Sequence, residues 1–117
     1  MAWNHIEKNM YRVGGSFNEI TIDTLEGHED GLRLVDVREK DEFVGPLGAY
    51  PGSELVPMGT LPQEVGSWDT AEPVVLICRS GGRSGRMAAF LEAKGFEKIV
   101  SLGGGMIAYN EKFGRPE

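Results

Sequence analysis

The sequence predicts an α/β fold, a small parallel sheet of about five strands flanked by helices on both faces. Short apolar runs alternate along the chain with segments of helical character, which is the order of elements in α/β proteins. The runs at 34–37, 74–77 and 99–102 show no strict alternation of apolar and polar residues, as expected for parallel strands covered on both sides. Such sheets bind ligands at the carboxyl ends of their strands, so a site is expected there.

The first part of the chain carries the weaker signals. Residues 1–18 are polar and contain a glycine pair, and we expect them to form an irregular lead-in. The β-branched residues 20–22 predict a short strand, and the polar stretch 24–31 has a weak helical tendency. Residues 32–37 contain a buried strand that ends in a run of charged residues.

Glycine and proline are dense between residues 43 and 59, which predicts turns and extended loop. One more short strand is expected within that loop at 53–56, and a short helix at 61–68.

The second half is clearer. After the apolar strand 74–77, residues 84–94 place apolar side chains at helical spacing and end at a glycine. A strand at 99–102, a flexible triple-glycine turn and a closing helix at 106–112 complete the prediction.

The composition is that of one globular domain, which we take as residues 1–117. The net charge of −6 makes nucleic acid and anionic membranes poor partners. The amino terminus lacks a signal-peptide pattern, and no apolar run is long enough to cross a bilayer. The single cysteine, Cys78, cannot form an intramolecular disulfide, which favours a reducing compartment, and we expect a cytoplasmic protein. Nothing in the sequence defines an oligomeric state.

The most informative segment is the loop that follows strand 74–77. Its residues are Cys78, Arg79, Ser80, Gly81, Gly82, Arg83 and Ser84. The start of a helix offers unpaired N–H groups and partial positive charge, paired glycines let amides converge, and arginines add full charges. Such surroundings lower a thiol pKa and bind anions. We therefore expect a reactive thiol ringed by main-chain donors and within reach of solvent, the alternative being an inert buried cysteine.

This loop resembles the active-site loop of single-domain rhodaneses, the thiosulfate-type sulfurtransferases. Other segments resemble that family in the same order: 34–39 with Glu42 and Phe43, 51–57, and 95–105. The resemblance covers about residues 32–112. The family's central Gly-His-Ile-Pro-Gly-Ala stretch corresponds to 45–53, which is longer here and has no histidine.

The resemblance implies covalent sulfur transfer without a metal or other cofactor. Cys78 would attack the outer sulfur of a small anionic donor, and a thiol or cyanide from outside the chain would remove the sulfur from the resulting persulfide. The substrate-binding residues implied are Arg79, Ser80, Gly81, Gly82, Arg83 and Ser84. The backbone amides would hold the charged sulfur and the two arginines would clamp the anion, while Ser84 would cap the helix or Ser80 would donate to the persulfide. Thiosulfate, polysulfide, glutathione persulfide and a protein persulfide all fit.

Two other functions remain open. A related phosphatase or arsenate reductase also surrounds an anion with a cysteine and an arginine, but five residues separate them, against four between Cys78 and Arg83. The shorter loop suits one sulfur atom better than a phosphate. The second alternative is a rhodanese-like regulatory module without turnover, although such modules often lack the cysteine that this chain has.

Other polar residues are predicted to have structural roles. Asp36 ends a buried strand, so we expect it to accept backbone hydrogen bonds or to pair with Arg38. His28 lies in an acidic segment and is expected to be solvated. With His5 as the one other histidine, neither a cysteine–histidine hydrolase nor a zinc site is expected.

Overall fold

The computed structural model of the protein describes residues 2–114. Its strands are β1 Tyr11–Val13, β2 Phe17–Ile20, β3 Arg33–Asp36, β4 Glu54–Leu55, β5 Val74–Ile77 and β6 Ile99–Leu102. Its helices are α1 Ala2–Asn9, α2 Ile22–Leu25, α3 Lys40–Phe43, α4 Leu61–Glu64, α5 Gly82–Ala93 and α6 Gly105–Phe113, with a 3₁₀ turn at Val65–Ser67 after α4.

The strands form one sheet in the order β1-β2-β6-β5-β3-β4. All neighbouring pairs are parallel except β1 and β2, which form an antiparallel hairpin. The predicted α/β class is therefore confirmed, with a sheet of six strands in the described part of the chain rather than about five. The additional strand is β1.

The prediction of an irregular lead-in at residues 1–18 is wrong. Helix α1 buries Trp3 and Ile6 in the core, and β1 turns back into β2 through Gly14 and Gly15, whose φ angles of 56° and 74° suit glycine. With two buried side chains, this short helix has too little hydrophobic periodicity for the sequence to predict it. Tertiary packing, rather than its own sequence pattern, stabilises the helix.

Elsewhere the predicted elements occur with shifted ends. The strand expected at 20–22 ends at Ile20, because Thr21 caps α2 by accepting a hydrogen bond from the Thr24 N–H at 3.3 Å. Helix α5 begins at Gly82 rather than at Ser84. Within residues 2–114, no helix has both the length and the apolarity needed to cross a membrane.

The central strands bury side chains on both faces of the sheet. On β5, Val75 and Ile77 pack in the core layer that contains residues of α1, α2 and α6. Val74 and Leu76 pack in the opposite layer, with residues of α4 and α5. Helices thus cover both faces as predicted. Side chains alternate between the two faces along β5, and this alternation determines the layer in which the side chains just after the strand lie.

Candidate active site at the end of the central strand

Cys78 follows directly after β5, two positions beyond Leu76, and the strand period turns its side chain toward α5. The residue is 1% exposed, which is more buried than the sequence predicts. Its neighbours Arg79 and Ser80 are exposed. The prediction of a thiol within reach of solvent is therefore wrong: Cys78 is buried at the carboxyl end of β5, because its side chain packs in the core layer beneath α5.

The loop folds back over the sulfur atom. The Gly81 N–H donates a hydrogen bond to Cys78 Sγ at 3.0 Å, which is one of the ring of inward-facing amides expected of this loop. Gly81 adopts a φ of 109°, and a Cβ atom there would lie 3.4 Å from the Gly104 nitrogen. Gly82 has an ordinary helical backbone and open space around its Cα, so only the first glycine of the pair is required by the geometry.

The glycine-rich turn between β6 and α6 supports the loop from behind. The Met106 N–H donates to the Cys78 carbonyl at 2.9 Å, and the Ile107 N–H donates to the Arg79 carbonyl at 3.0 Å. A Cβ atom on Gly105 would lie 2.2 Å from the Cys78 carbonyl oxygen. The turn predicted to be flexible is thus a fixed backing for the cysteine.

Ser84 does not cap the helix, contrary to one of the two roles proposed for the serines. Gly81 is the N-cap residue, and its left-handed backbone lets α5 begin at Gly82, two residues before Ser84. The Ser84 side chain instead lies inside the first turn, with its Oγ 3.3 Å from Cys78 Sγ. Its oxygen is also 2.7 Å from Ser101 Oγ, a contact that the sequence does not predict.

These neighbours favour the thiolate. Burial raises the pKa of the Cys78 thiol, but hydrogen bonds from the Ser84 hydroxyl and from the backbone of Ser84, Gly81 and Ser80 outweigh it, and the pKa falls below its ordinary value. The direction is the one predicted from the sequence. The largest lowering causes are short-range hydrogen bonds, and Arg83 interacts with the thiolate through its charge to a smaller extent.

The two arginines of the loop have different surroundings. Arg83 is half-buried, and its guanidinium pairs with both Glu42 oxygens at 2.7 and 2.8 Å, which lowers the pKa of Glu42 to about 2. Glu42 is itself fixed because it accepts the Glu39 N–H at 3.0 Å in a capping box. Arg79 is exposed and forms no ion pair within residues 2–114. Arg79 is therefore the loop arginine whose charge is available to an incoming anion.

The prediction for Asp36 and Arg38 is confirmed. Both are buried, and the Asp36 carboxylate accepts hydrogen bonds from the Arg38 backbone N–H at 3.0 Å and from its guanidinium at 2.8 Å. The guanidinium also donates to the Gly48 carbonyl at 2.8 Å, which the sequence does not predict. The pair thereby attaches the histidine-free loop 45–53 to the end of β3.

That attachment shapes a cavity beside the cysteine loop. It has a volume of about 250 Å³. Its lining residues are Arg38, Glu42, Pro46, Leu47 and Arg79. Pro46 and Leu47 of loop 45–53 contribute apolar lining, and Arg79 contributes a guanidinium that forms no ion pair within residues 2–114.

The histidines lie away from this edge. The rings of His5 and His28 stack on each other with centroids 3.6 Å apart, and His5 Nε2 is 2.9 Å from the Thr24 carbonyl oxygen. Within residues 2–114, no group of histidine, cysteine and carboxylate side chains is arranged to hold a metal ion.

The comparisons with known proteins agree with this geometry. A family model described as the rhodanese-like domain matches residues 21–112. The chain is 38% identical over 85 residues to YtwF of Bacillus subtilis (strain 168), covering 73% of this chain and 79% of that protein. It is 32% identical over 95 residues to a sulfurtransferase of Allochromatium vinosum, covering 79% and 87% of the two chains.

Among solved structures, a rhodanese-like domain protein from Staphylococcus aureus superposes with a TM-score of 0.69 at 33% identity, over 78% of this chain and 89% of that one. The residues matched by the family model contain strands β3 to β6 and the cysteine loop, while α1, β1 and β2 lie before them. The chain belongs to the rhodanese-like domain family.

Proposed function

We propose that the protein is a sulfurtransferase that carries a sulfane sulfur on Cys78 as a persulfide. The observation that supports this most is the pair of donors aimed at the sulfur atom, the Gly81 N–H at 3.0 Å and the Ser84 hydroxyl at 3.3 Å. Such donors stabilise the negative charge of the Cys78 thiolate, which is the attacking group in the first step and the leaving group in the second. The membership of the family and the relative named as a sulfurtransferase support the same reaction class.

In the first step the Cys78 thiolate attacks the outer, sulfane sulfur of the donor. A new S–S bond forms to Cys78, and the bond between the sulfane sulfur and the rest of the donor breaks. The electron pair leaves with the remainder, which is sulfite when the donor is thiosulfate. The terminal sulfur of the persulfide then carries the negative charge, and the amides at the start of α5, together with Ser80 and Gly82 at the exposed mouth, would hold it.

In the second step an acceptor thiolate attacks the terminal sulfur, and Cys78 leaves as thiolate. The chain has one cysteine, so the acceptor comes from outside it. A low-molecular thiol, a protein thiol or, in an assay, cyanide can fill this role. A reducing compartment such as the cytoplasm supplies such thiols and is the location we propose.

Charge selects an anionic donor of modest size. Arg79, which forms no ion pair among the described residues, lines the cavity of about 250 Å³, while the Arg83 charge is balanced by Glu42. Thiosulfate and a persulfide anion both fit a site that offers one cation and one apolar wall. Arg83 acts on the anion indirectly, by holding α3 against the loop.

The structure disfavours phosphoryl chemistry at this loop. A cysteine phosphatase needs the arginine fork to bind two phosphate oxygens, but Nη1 and Nη2 of Arg83 both donate to the Glu42 carboxylate. Together with the four-residue spacing, this leaves sulfur transfer as the better use of the thiol.

The experiment is mass spectrometry of the intact protein after exposure to thiosulfate, and separately to glutathione persulfide. We expect a gain of one sulfur, about 32 Da, on Cys78, its removal by cyanide and release of thiocyanate. A Cys78→Ser variant is the control and should show none of these. If neither donor adds mass while the protein hydrolyses an aryl phosphate, the phosphatase alternative replaces this proposal. If Cys78→Ser keeps full biological activity, the regulatory-module alternative replaces this proposal.

A further inference from the structure

Two buried serines lie behind the Cys78 sulfur. Ser84 belongs to the first turn of α5 and Ser101 to β6, and both residues are 0% exposed. Ser101 Oγ is 2.7 Å from Ser84 Oγ, which is in turn 3.3 Å from Cys78 Sγ. The three groups form a row that starts inside the sheet and ends at the thiol.

Ser101 is an unusual residue for its place. It is the one polar side chain of β6, and its neighbours on the strand are the buried apolar residues Val100 and Leu102. It pairs in register with Leu76 of β5, on the side of the sheet that also carries Cys78. A hydroxyl is unfavourable there unless it is hydrogen-bonded, whereas an apolar side chain would fit the core.

The hydrogen positions follow from the available partners. Each serine hydroxyl has one hydrogen to donate. Ser84 Oγ faces three groups: Cys78 Sγ, Ser101 Oγ and the Gly81 carbonyl oxygen at 3.3 Å. Within residues 2–114, Ser84 is the side-chain partner recorded for the Ser101 hydroxyl. If Ser84 donated to Ser101, the Ser101 hydrogen would be buried without an acceptor, which is unfavourable.

The favourable arrangement therefore has Ser101 donating to Ser84. The Ser84 hydrogen is then free for either the Gly81 carbonyl oxygen or the sulfur. A charged thiolate is the stronger acceptor of the two, so ionisation of Cys78 turns the Ser84 hydrogen toward sulfur. In this arrangement the thiolate accepts one hydrogen bond from Ser84, and the hydroxyl hydrogens of both serines have an acceptor.

We propose that Ser101 is a positioning residue for the nucleophile: its hydroxyl donates to Ser84 and thereby directs the Ser84 hydrogen to the Cys78 thiolate. This inference deepens the proposed function, and it rests on that function only in taking the thiolate as the attacking group. The row itself is a property of the free enzyme. It can be tested without any sulfur donor.

The test is the rate of alkylation of Cys78 by iodoacetamide as a function of pH, in Ser101→Ala, Ser84→Ala and the double variant. We expect Ser101→Ala to move the inflection to higher pH and to slow alkylation at pH 7 by roughly fivefold, because the thiolate loses part of one charge-assisted hydrogen bond. Ser84→Ala should shift the profile at least as far. The double variant should match Ser84→Ala, because Ser101 acts through Ser84 alone.

Two isosteric variants separate the hydroxyl from packing. Ser101→Thr keeps the hydroxyl and Ser101→Val replaces it with a methyl group, so both have the same shape in a β-strand. The pH profile of alkylation should stay near that of the wild type in Ser101→Thr and should shift to higher pH in Ser101→Val. Ser67→Ala is the matched control, because it removes a serine hydroxyl that donates to the Glu64 carbonyl in the 3₁₀ turn after α4.

An unchanged alkylation profile in folded Ser101→Ala, or equal profiles in the threonine and valine variants, would overturn the inference. A shift in the double variant equal to the sum of the single shifts would do so as well. Near-ultraviolet circular dichroism and the Tm establish that each variant is folded. Failure of the proposed function is recognised separately, as a wild-type protein that shows the pH profile but gains no sulfur.

Discussion

At the scale of the residue, Cys78 is made reactive by its nearest contacts. The sequence directs attention to Arg79 and Arg83, yet the hydrogen bonds that lower the thiol pKa come from Ser84 and from backbone amides. The charge of Arg83 is balanced by Glu42 at 2.7 Å. Short-range donors thus contribute more to the thiolate than the charges of the arginines, and Arg79 forms no ion pair within the described residues 2–114.

Arg38 gives a prediction at the same scale. Arg38→Ala leaves the buried Asp36 carboxylate without its partner and releases the Gly48 carbonyl, so we expect a loss of about 3–5 kcal/mol of stability. Urea denaturation of the folded protein measures this. Arg12→Ala is the comparison, because it removes a surface ion pair with Glu92 and should leave the urea midpoint almost unchanged. Equal effects of the two substitutions would show that burial of the Asp36–Arg38 pair does not matter.

At the scale of the element, the junction between β5 and α5 depends on one backbone conformation. Gly81 turns the chain at a φ of 109°, brings its N–H to the sulfur and starts the helix. The sequence identifies the loop but cannot rank its two glycines, because both belong equally to a predicted turn. The ranking depends on φ and on how close the glycine turn of residues 103–105 approaches.

The two glycines therefore form a matched pair for substitution. Gly81→Ala places a side chain in the left-handed region next to Gly104, and we expect lower stability by about 1 kcal/mol or more together with a large loss of sulfur transfer. Gly82→Ala lies at an ordinary helical position with open space, and should keep both the stability and the sulfur-transfer activity. Thiocyanate release and thermal unfolding of the two variants measure the difference. If Gly82→Ala is the more damaging change, the geometric ranking is wrong.

At the scale of the whole molecule, the Arg83–Glu42 pair connects α3 to α5 across the edge of the sheet and makes stability depend on pH. The pKa of Glu42 is lowered from 4.5 to about 2 in the folded protein. Its contribution to stability is complete above pH 4.5 and is lost progressively as the pH falls through that interval.

We therefore expect Arg83→Gln to lose less stability than the wild type between pH 4.5 and about 2, having already lost this contribution at neutral pH. Urea midpoints across the interval provide the measurement. Arg86→Gln is the control, since Arg86 lies exposed on the same helix and forms no ion pair within residues 2–114. Identical slopes for the wild type and Arg83→Gln would contradict the assignment.

The sequence predicts much of the molecule because its central strands are unbroken runs of buried residues. Strands β5 and β6 are found at the predicted residues, since four consecutive buried positions leave little choice of structure. Helix α1 is missed because its stability comes from Trp3 and Ile6 meeting the distant core. The pairing of Ser84 with Ser101 is missed for a related reason: they lie seventeen positions apart in the sequence, and only the folded sheet brings them together.

The outermost strands of the sheet are brief, with three residues in β1 and two in β4. A border strand presents unpaired N–H and C=O groups that a foreign polypeptide can extend. Here the borders expose very few such groups, and β1 further carries the outward-facing Tyr11 and Arg12. Resistance to edge-to-edge polymerisation is thus supplied by the lengths of these strands, without any helix or loop having to shield them.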